Sequence, residues 1–146
     1  MPLMHQIERS AIVPFTARAM FDLVADVESY PEFLPGCSAA RIHSRDGCQV
    51  IASISLAQGP LRFGFTTRNQ LTPDSRILMA LQEGPFSDLR GQWEFTQLGD
   101  ASSKVSLSLQ FAFESRVLDT LLGPPFEALC NRLVDTFVLR ARAIHS

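Results

Sequence analysis

Between Lys104 and Glu114 the chain alternates in hydrophobicity: Val105, Leu107, Leu109, Phe111 and Phe113 fall on one face, and Ser106, Ser108 and Gln110 on the other. A period of two over that length predicts a strand with one side on a core and the other in water. A weaker alternation puts Ile7, Ala11 and Val13 on one face of a first strand. After Phe15 the period lengthens: Ala19, Phe21, Leu23, Val24 and Val27 suit short helical turns, with Thr16 as N-cap. Pro31 and Pro35 bar a regular helix beyond that point, so a brief second helix should end near Leu34.

From Cys37 the pattern is that of an antiparallel meander. Asp46-Gly47 between two strand-like runs predicts a two-residue hairpin, which places Cys48 opposite Arg45. Gln58-Gly59-Pro60 makes the next turn. In the strand that follows, Leu61, Phe63, Phe65 and Thr67 share a face, Asn69 points inward with them and Arg68 points out. Thr72-Pro73-Asp74-Ser75 fits a type I turn. Two further strands, over 76–84 and 89–98, meet around Gly84-Pro85-Phe86.

The end of the chain is helical. A short segment over 115–123 is interrupted by Gly123-Pro124-Pro125, and a long helix then runs from Phe126 to His145. Its apolar stripe is Phe126, Leu129, Cys130, Leu133, Phe137, Ala141 and Ile144. About twenty helical residues reach roughly 30 Å, enough to cross a sheet. The expected fold is α+β, one domain over 1–146. A curved six- to seven-stranded antiparallel sheet wraps a long C-terminal helix, with two short helices after the first strand. The gap between sheet and helix is apolar on both sides, to be filled by side chains or by an apolar ligand.

Composition sharpens this picture. The chain carries 11 Phe against one Tyr and one Trp, so its interior is large and has few polar handles. The net charge of −2 lacks the excess of positive charge expected of a general nucleic-acid binder, although the basic residues are 12 arginines and the single Lys104. No apolar run approaches the roughly 20 residues needed to cross a bilayer, and the first ten residues carry charge without a signal core. The expected compartment is the cytoplasm. Three cysteines make no disulfide framework, and no CxxC or HxxxH spacing suggests a metal.

Catalytic candidates are few. Cys37 has no basic neighbour and reads as a buried, inert thiol. Glu28 and Glu32 read as solvent-facing residues rather than an acid–base pair, and no catalytic residue is assigned. A buried Asn69 amide needs partners, from a neighbouring strand or from a ligand carbonyl. Arg132, Arg140, Arg142 and His145 make a basic helix end, either a solvated face or a contact for ribosomal RNA.

Five stretches, VADVESYPEFLPGC, FGFTTRN, EGPFSDLRGQWEF, LSLQFAFES and LLGPPFEALCNRLVDTFVLRA, occur in order between Ile7 and Ala143. Together they resemble the coenzyme Q-binding START-domain family and its bacterial ribosome association toxin (RatA) branch, also labelled oligoketide cyclase/lipid transport. The resemblance implies a helix-grip fold around a hydrophobic tunnel. It implies a non-enzymatic role first, binding and carriage of a ubiquinone-like isoprenoid quinone in support of respiration, with contact at the inner membrane surface. The alternative it implies is binding to the large ribosomal subunit that blocks subunit association; a cyclase role is a minor third. No cofactor is expected besides that lipid ligand. The expected ligand-lining residues are Tyr30, Phe33 and Leu34 in the cap, Phe63, Phe65 and Asn69, then Phe86 and Trp93, then Leu109 and Phe111, and Phe126, Leu129, Leu133 and Phe137 from the helix. This chain departs from the family at Gly36, where tryptophan is common; that loss removes apolar area and loosens the cap. Thr67 stands where serine is common.

Overall fold

Alternating side chains on successive short runs give seven strands among the described residues, which in the computed structural model are 3–59 and 61–145. They are β1 (His5–Val13), β2 (Cys37–Asp46), β3 (Gln49–Gln58), β4 (Leu61–Thr72), β5 (Arg76–Glu83), β6 (Phe86–Gln97) and β7 (Ser103–Phe113). All pair antiparallel in one sheet of order β1-β7-β6-β5-β4-β3-β2. Register shifts leave an extra residue on β2, β5 and β6, bulges that bend strands and help the sheet curl. Every residue of the expected inner face of β7, from Val105 to Phe113, is buried.

Three helices, α1 (Ala17–Ala25), α2 (Arg116–Asn131) and α3 (Leu133–His145), pack on the concave side, with a 3-10 cap segment over Val27–Glu32. Thr16 Oγ1 accepts the Ala19 N–H at 3.1 Å, the expected N-cap of α1, and Ser115 Oγ does the same for Leu118 on α2. Among the described residues no helix is long and apolar enough to cross a membrane.

Four local expectations are corrected. The first hairpin turns at Gly47-Cys48, so Asp46 faces Gln49 and Arg45 faces Val50. Only Gly47, at φ 62°, is left-handed there, as a turn with glycine first requires, and Cys48 is a turn residue whose carbonyl accepts the Leu71 N–H of β4 at 2.8 Å. The turn at Thr72–Ser75 keeps Pro73 second, but Asp74 at φ 62° belongs to a type II rather than a type I turn. The long helix does not begin at Phe126: α2 runs through Gly123-Pro124-Pro125 and the break falls at Arg132. The prolines free carbonyls of Thr120 and Leu121, both on exposed residues open to solvent. Ile144 leaves the apolar stripe and is 47% exposed, in the last turn of α3. Pro60 of the Gln58-Gly59-Pro60 turn lies outside the described residues.

Candidate functional site

The sheet's inner face, α2, α3 and the cap enclose an apolar cavity with about 100 Å³ of free space. Of the expected ligand residues, Tyr30 and Leu34 from the cap, Phe65 and Asn69 from β4, and Trp93 and Leu109 from β6 and β7 line it. Phe126, Leu129, Leu133 and Phe137 complete it from the helices. Phe33, Phe63, Phe86 and Phe111 do not. Three of these belong to a packed aromatic cluster beside the cavity, in which Phe86 stacks on Phe113 at 4.8 Å and Phe111 meets Phe126 edge-on at 4.8 Å, while Phe63 lies 5.7 Å from Phe86. The spare aromatic area fills the gap there instead of lining it. Ala52, Ile54, Leu56, Thr67 and Met79 also line the cavity and lie beyond the expected set; the alternation from Val50 to Leu56 is the signal that could have found the first three.

One polar feature interrupts this wall. Thr67 Oγ1 donates to Asn69 Oδ1 at 2.9 Å, both residues being buried. The amide oxygen is therefore satisfied from within β4 itself, two residues earlier, rather than from a neighbouring strand, and the capacity that remains is the two N–H donors. The titratable groups of the wall are Tyr30 and Cys130. Burial pushes both the phenol and the thiol up, so each is neutral at physiological pH. The Tyr30 hydroxyl donates to the Val24 carbonyl, which ties the cap to α1.

The cap is braced from outside. Phe33 packs edge-on against Tyr30 and Phe137, and the Arg140 guanidinium lies over its ring at 4.9 Å while pairing with Glu32 at 3.3 Å. Glu28 points elsewhere. Its carboxylate accepts the Ile42 N–H at 3.1 Å, covering part of the free edge of β2. The two glutamates thus make separate contacts, not an acid–base pair. Cys37 is buried and its thiol is pushed up by desolvation, which makes it a poor nucleophile. Gly36 is fixed rather than loose. At φ 82° it accepts the Ala57 N–H through its carbonyl at 2.8 Å, and a Cβ there would sit 2.7 Å from Gln58 Oε1.

A polar cluster that the sequence pattern does not reveal lies at the far end of the sheet. His5 is buried, stacked on Phe111 at 4.7 Å, with Nε2 2.6 Å from Asp119 and Nδ1 2.8 Å from Glu127. Burial alone would lower its pKa, but the hydrogen bonds and charges of the two carboxylates outweigh it and raise the value above the usual 6.5. The cluster pins β1 to α2 across more than a hundred residues of sequence.

Sheet, helices and enclosed cavity define a START-like helix-grip protein. The sequence profile described as polyketide cyclase/dehydrase and lipid transport matches residues 13–138, and the chain belongs to that family. A protein of Vibrio cholerae serotype O1 named ribosome association toxin RatA is 43% identical over 142 residues, spanning 97% of this chain and 99% of that one. The mitochondrial coenzyme Q-binding protein COQ10 of Drosophila melanogaster is 24% identical over 138 residues, covering 92% of this chain and 57% of its own length. A START superfamily protein from Mycobacterium smegmatis superposes with a TM-score of 0.74 at 19% identity, over 94% of this chain and 96% of that one; it bears on fold alone.

Proposed function

We propose that this chain acts by associating with the large ribosomal subunit, so as to oppose subunit joining. The observation that carries this reading is the 43% identity to a protein named ribosome association toxin RatA over nearly the full length of both chains. It reverses the order expected from the sequence, where quinone carriage stood first. The size of the cavity supports the same order. Pockets for small ligands run to roughly 300–1,000 Å³, and about 100 Å³ of free space has no room for a ring plus a long isoprenoid tail unless the cap moves. Sedimentation of the purified chain with separated ribosomal subunits tests the reading. Recovery with the large subunit supports it; recovery with neither subunit refutes it.

A second reading rests on the cavity's composition. An apolar chamber with one threonine–asparagine pair suits a lipid that carries a carbonyl, such as a quinone. Its test is solvent extraction of gently purified protein followed by mass spectrometry, with titration of added quinones. Each buried methylene contributes about 0.8 kcal/mol, so affinity should climb with tail length; a reproducibly empty protein that takes up no long-chain quinone rules the reading out. Neither reading calls for catalysis.

A further inference from the structure

Within the ribosome-association reading, on which this step rests, we infer that the outer face of β2, β3 and β4 is the surface that meets the phosphate backbone of large-subunit RNA. The register places the side chains. Arg41 stands opposite Ser53, and Ser53 opposite Thr66; Arg68 stands opposite Ile51, and Arg62 opposite Ala57. These positions alternate with Ala52, Thr67 and Asn69, which face the cavity, so the arginines point away from every helix.

Charge is segregated onto this region. The chain has 13 basic and 15 acidic residues, yet residues 37–72 hold Arg41, Arg45, Arg62 and Arg68 against Asp46 alone, leaving nine basic and fourteen acidic residues elsewhere. Arg41, Arg62 and Arg68 are exposed, and among the described residues none of them is within ion-pair distance of a carboxylate. Arg90 and Arg140, by contrast, are paired with Asp88 and Glu32. Glu83, opposite Thr66, and Asp46, at the hairpin end, bound the patch.

Between the arginines the face carries hydroxyls and an imidazole alongside the apolar Ile51 and Ala57. His43 bonds Ser53 at 2.6 Å and Ser53 bonds Thr66 at 2.5 Å, a row running across all three strands. With strands about 4.8 Å apart, cations on β2 and β4 stand about 10 Å apart on the convex face of the sheet. Arginine's planar donors suit phosphate oxygens, and hydroxyls and imidazoles are common phosphate partners. The rival basic surface is weaker, because Arg140 is turned inward onto Phe33 and Glu32, while Asp135 stands three residues beyond Arg132.

The test is sedimentation with large subunits, across roughly 50 to 200 mM monovalent salt, of the wild-type chain, an R41Q/R62Q/R68Q variant and an R132Q/R142Q variant. The strand variant should bind at least tenfold more weakly at the low-salt end. Its plot of log affinity against log salt should flatten by about two to three, near one for each phosphate no longer neutralised. The helix-end variant should match wild type, and all three should unfold at the same temperature. If the strand variant keeps wild-type affinity and slope, or the helix-end variant weakens in its place, the surface assignment is wrong while the ribosome reading stands. If wild type itself fails to sediment, that reading falls and takes the surface with it. Anionic phospholipid vesicles form a final arm: loss of vesicle binding in the strand variant with ribosome binding intact makes this a membrane face and overturns the assignment.

Discussion

His5 offers the sharpest test of how the two ends of the chain are held together. Each ring nitrogen faces a carboxylate, at 2.6 and 2.8 Å, so both must donate and the favoured species is the imidazolium. A hydrogen bond to a charged partner is worth about 1.5–3 kcal/mol when shielded. Here the Asp119 and Glu127 side chains are 23% and 44% exposed, and water competes for both. The low end applies, and the pair together should contribute about 2 kcal/mol in the charged form. The sign follows from the raised pKa. Stability from this group is complete below the unfolded value near 6.5 and is lost as pH rises through the higher folded value. In urea unfolding followed by circular dichroism, His5→Gln should be less stable than wild type by about 2 kcal/mol near pH 6. The gap should shrink near pH 8.5, where neutral His5 can donate to only one carboxylate. A gap that stays constant or widens with pH would refute the imidazolium assignment.

Three further outcomes can be checked on the same material. A thiol reagent should titrate one cysteine quickly, exposed Cys48, and reach Cys37 and Cys130 only on unfolding; three fast thiols would contradict the packing described. Gly36→Ala places a Cβ at φ 82° and should cost about 1–2 kcal/mol in urea unfolding, since Gln58 can swing aside but the backbone cannot relax; unchanged stability would mean the cap has slack there. Asn69→Leu removes the acceptor for Thr67 Oγ1 and should cost about 1–3 kcal/mol, part of which a Thr67→Val change in the same chain should restore; costs that simply add would mean the two side chains do not interact.

Much of the fold was legible because it depends on period. The alternation in β7, the inward Asn69 on β4 and the Thr16 cap follow from local geometry alone. What was not legible depends on which surfaces meet. Phe63, Phe86 and Phe111 have the same pattern as the cavity-lining Phe65, and only the packing of α2 decides that they fill space while Phe65 borders it. His5 reads as one of three scattered histidines, because its partners lie 114 and 122 residues away. The helix break moved from Gly123 to Arg132 for a similar reason. Proline forbids two hydrogen bonds, but exposed carbonyls tolerate their loss, and exposure is a tertiary property.

The proposed roles occupy opposite faces of one sheet, and that makes them separable. Ala52 lines the cavity from β3, opposite Thr67, and is 3% exposed. Leucine there adds three carbons to about 100 Å³ of free space. Overpacking costs about 1–3 kcal/mol in a tight core, and the low end applies where there is room to fill. Ala52→Leu should therefore stay folded and lose whatever uptake of quinone or another apolar probe the wild type shows. It should keep its sedimentation with the large subunit, because Arg41, Arg62 and Arg68 lie on the far side of the strands. R41Q/R62Q/R68Q should show the reverse pattern. If filling the cavity also weakens ribosome association, with thermal unfolding unchanged, the interior must report to the outer face through the strands. A ligand inside would then be a regulator of association rather than cargo, because a ligand shifts an equilibrium only by its differential affinity for the two states.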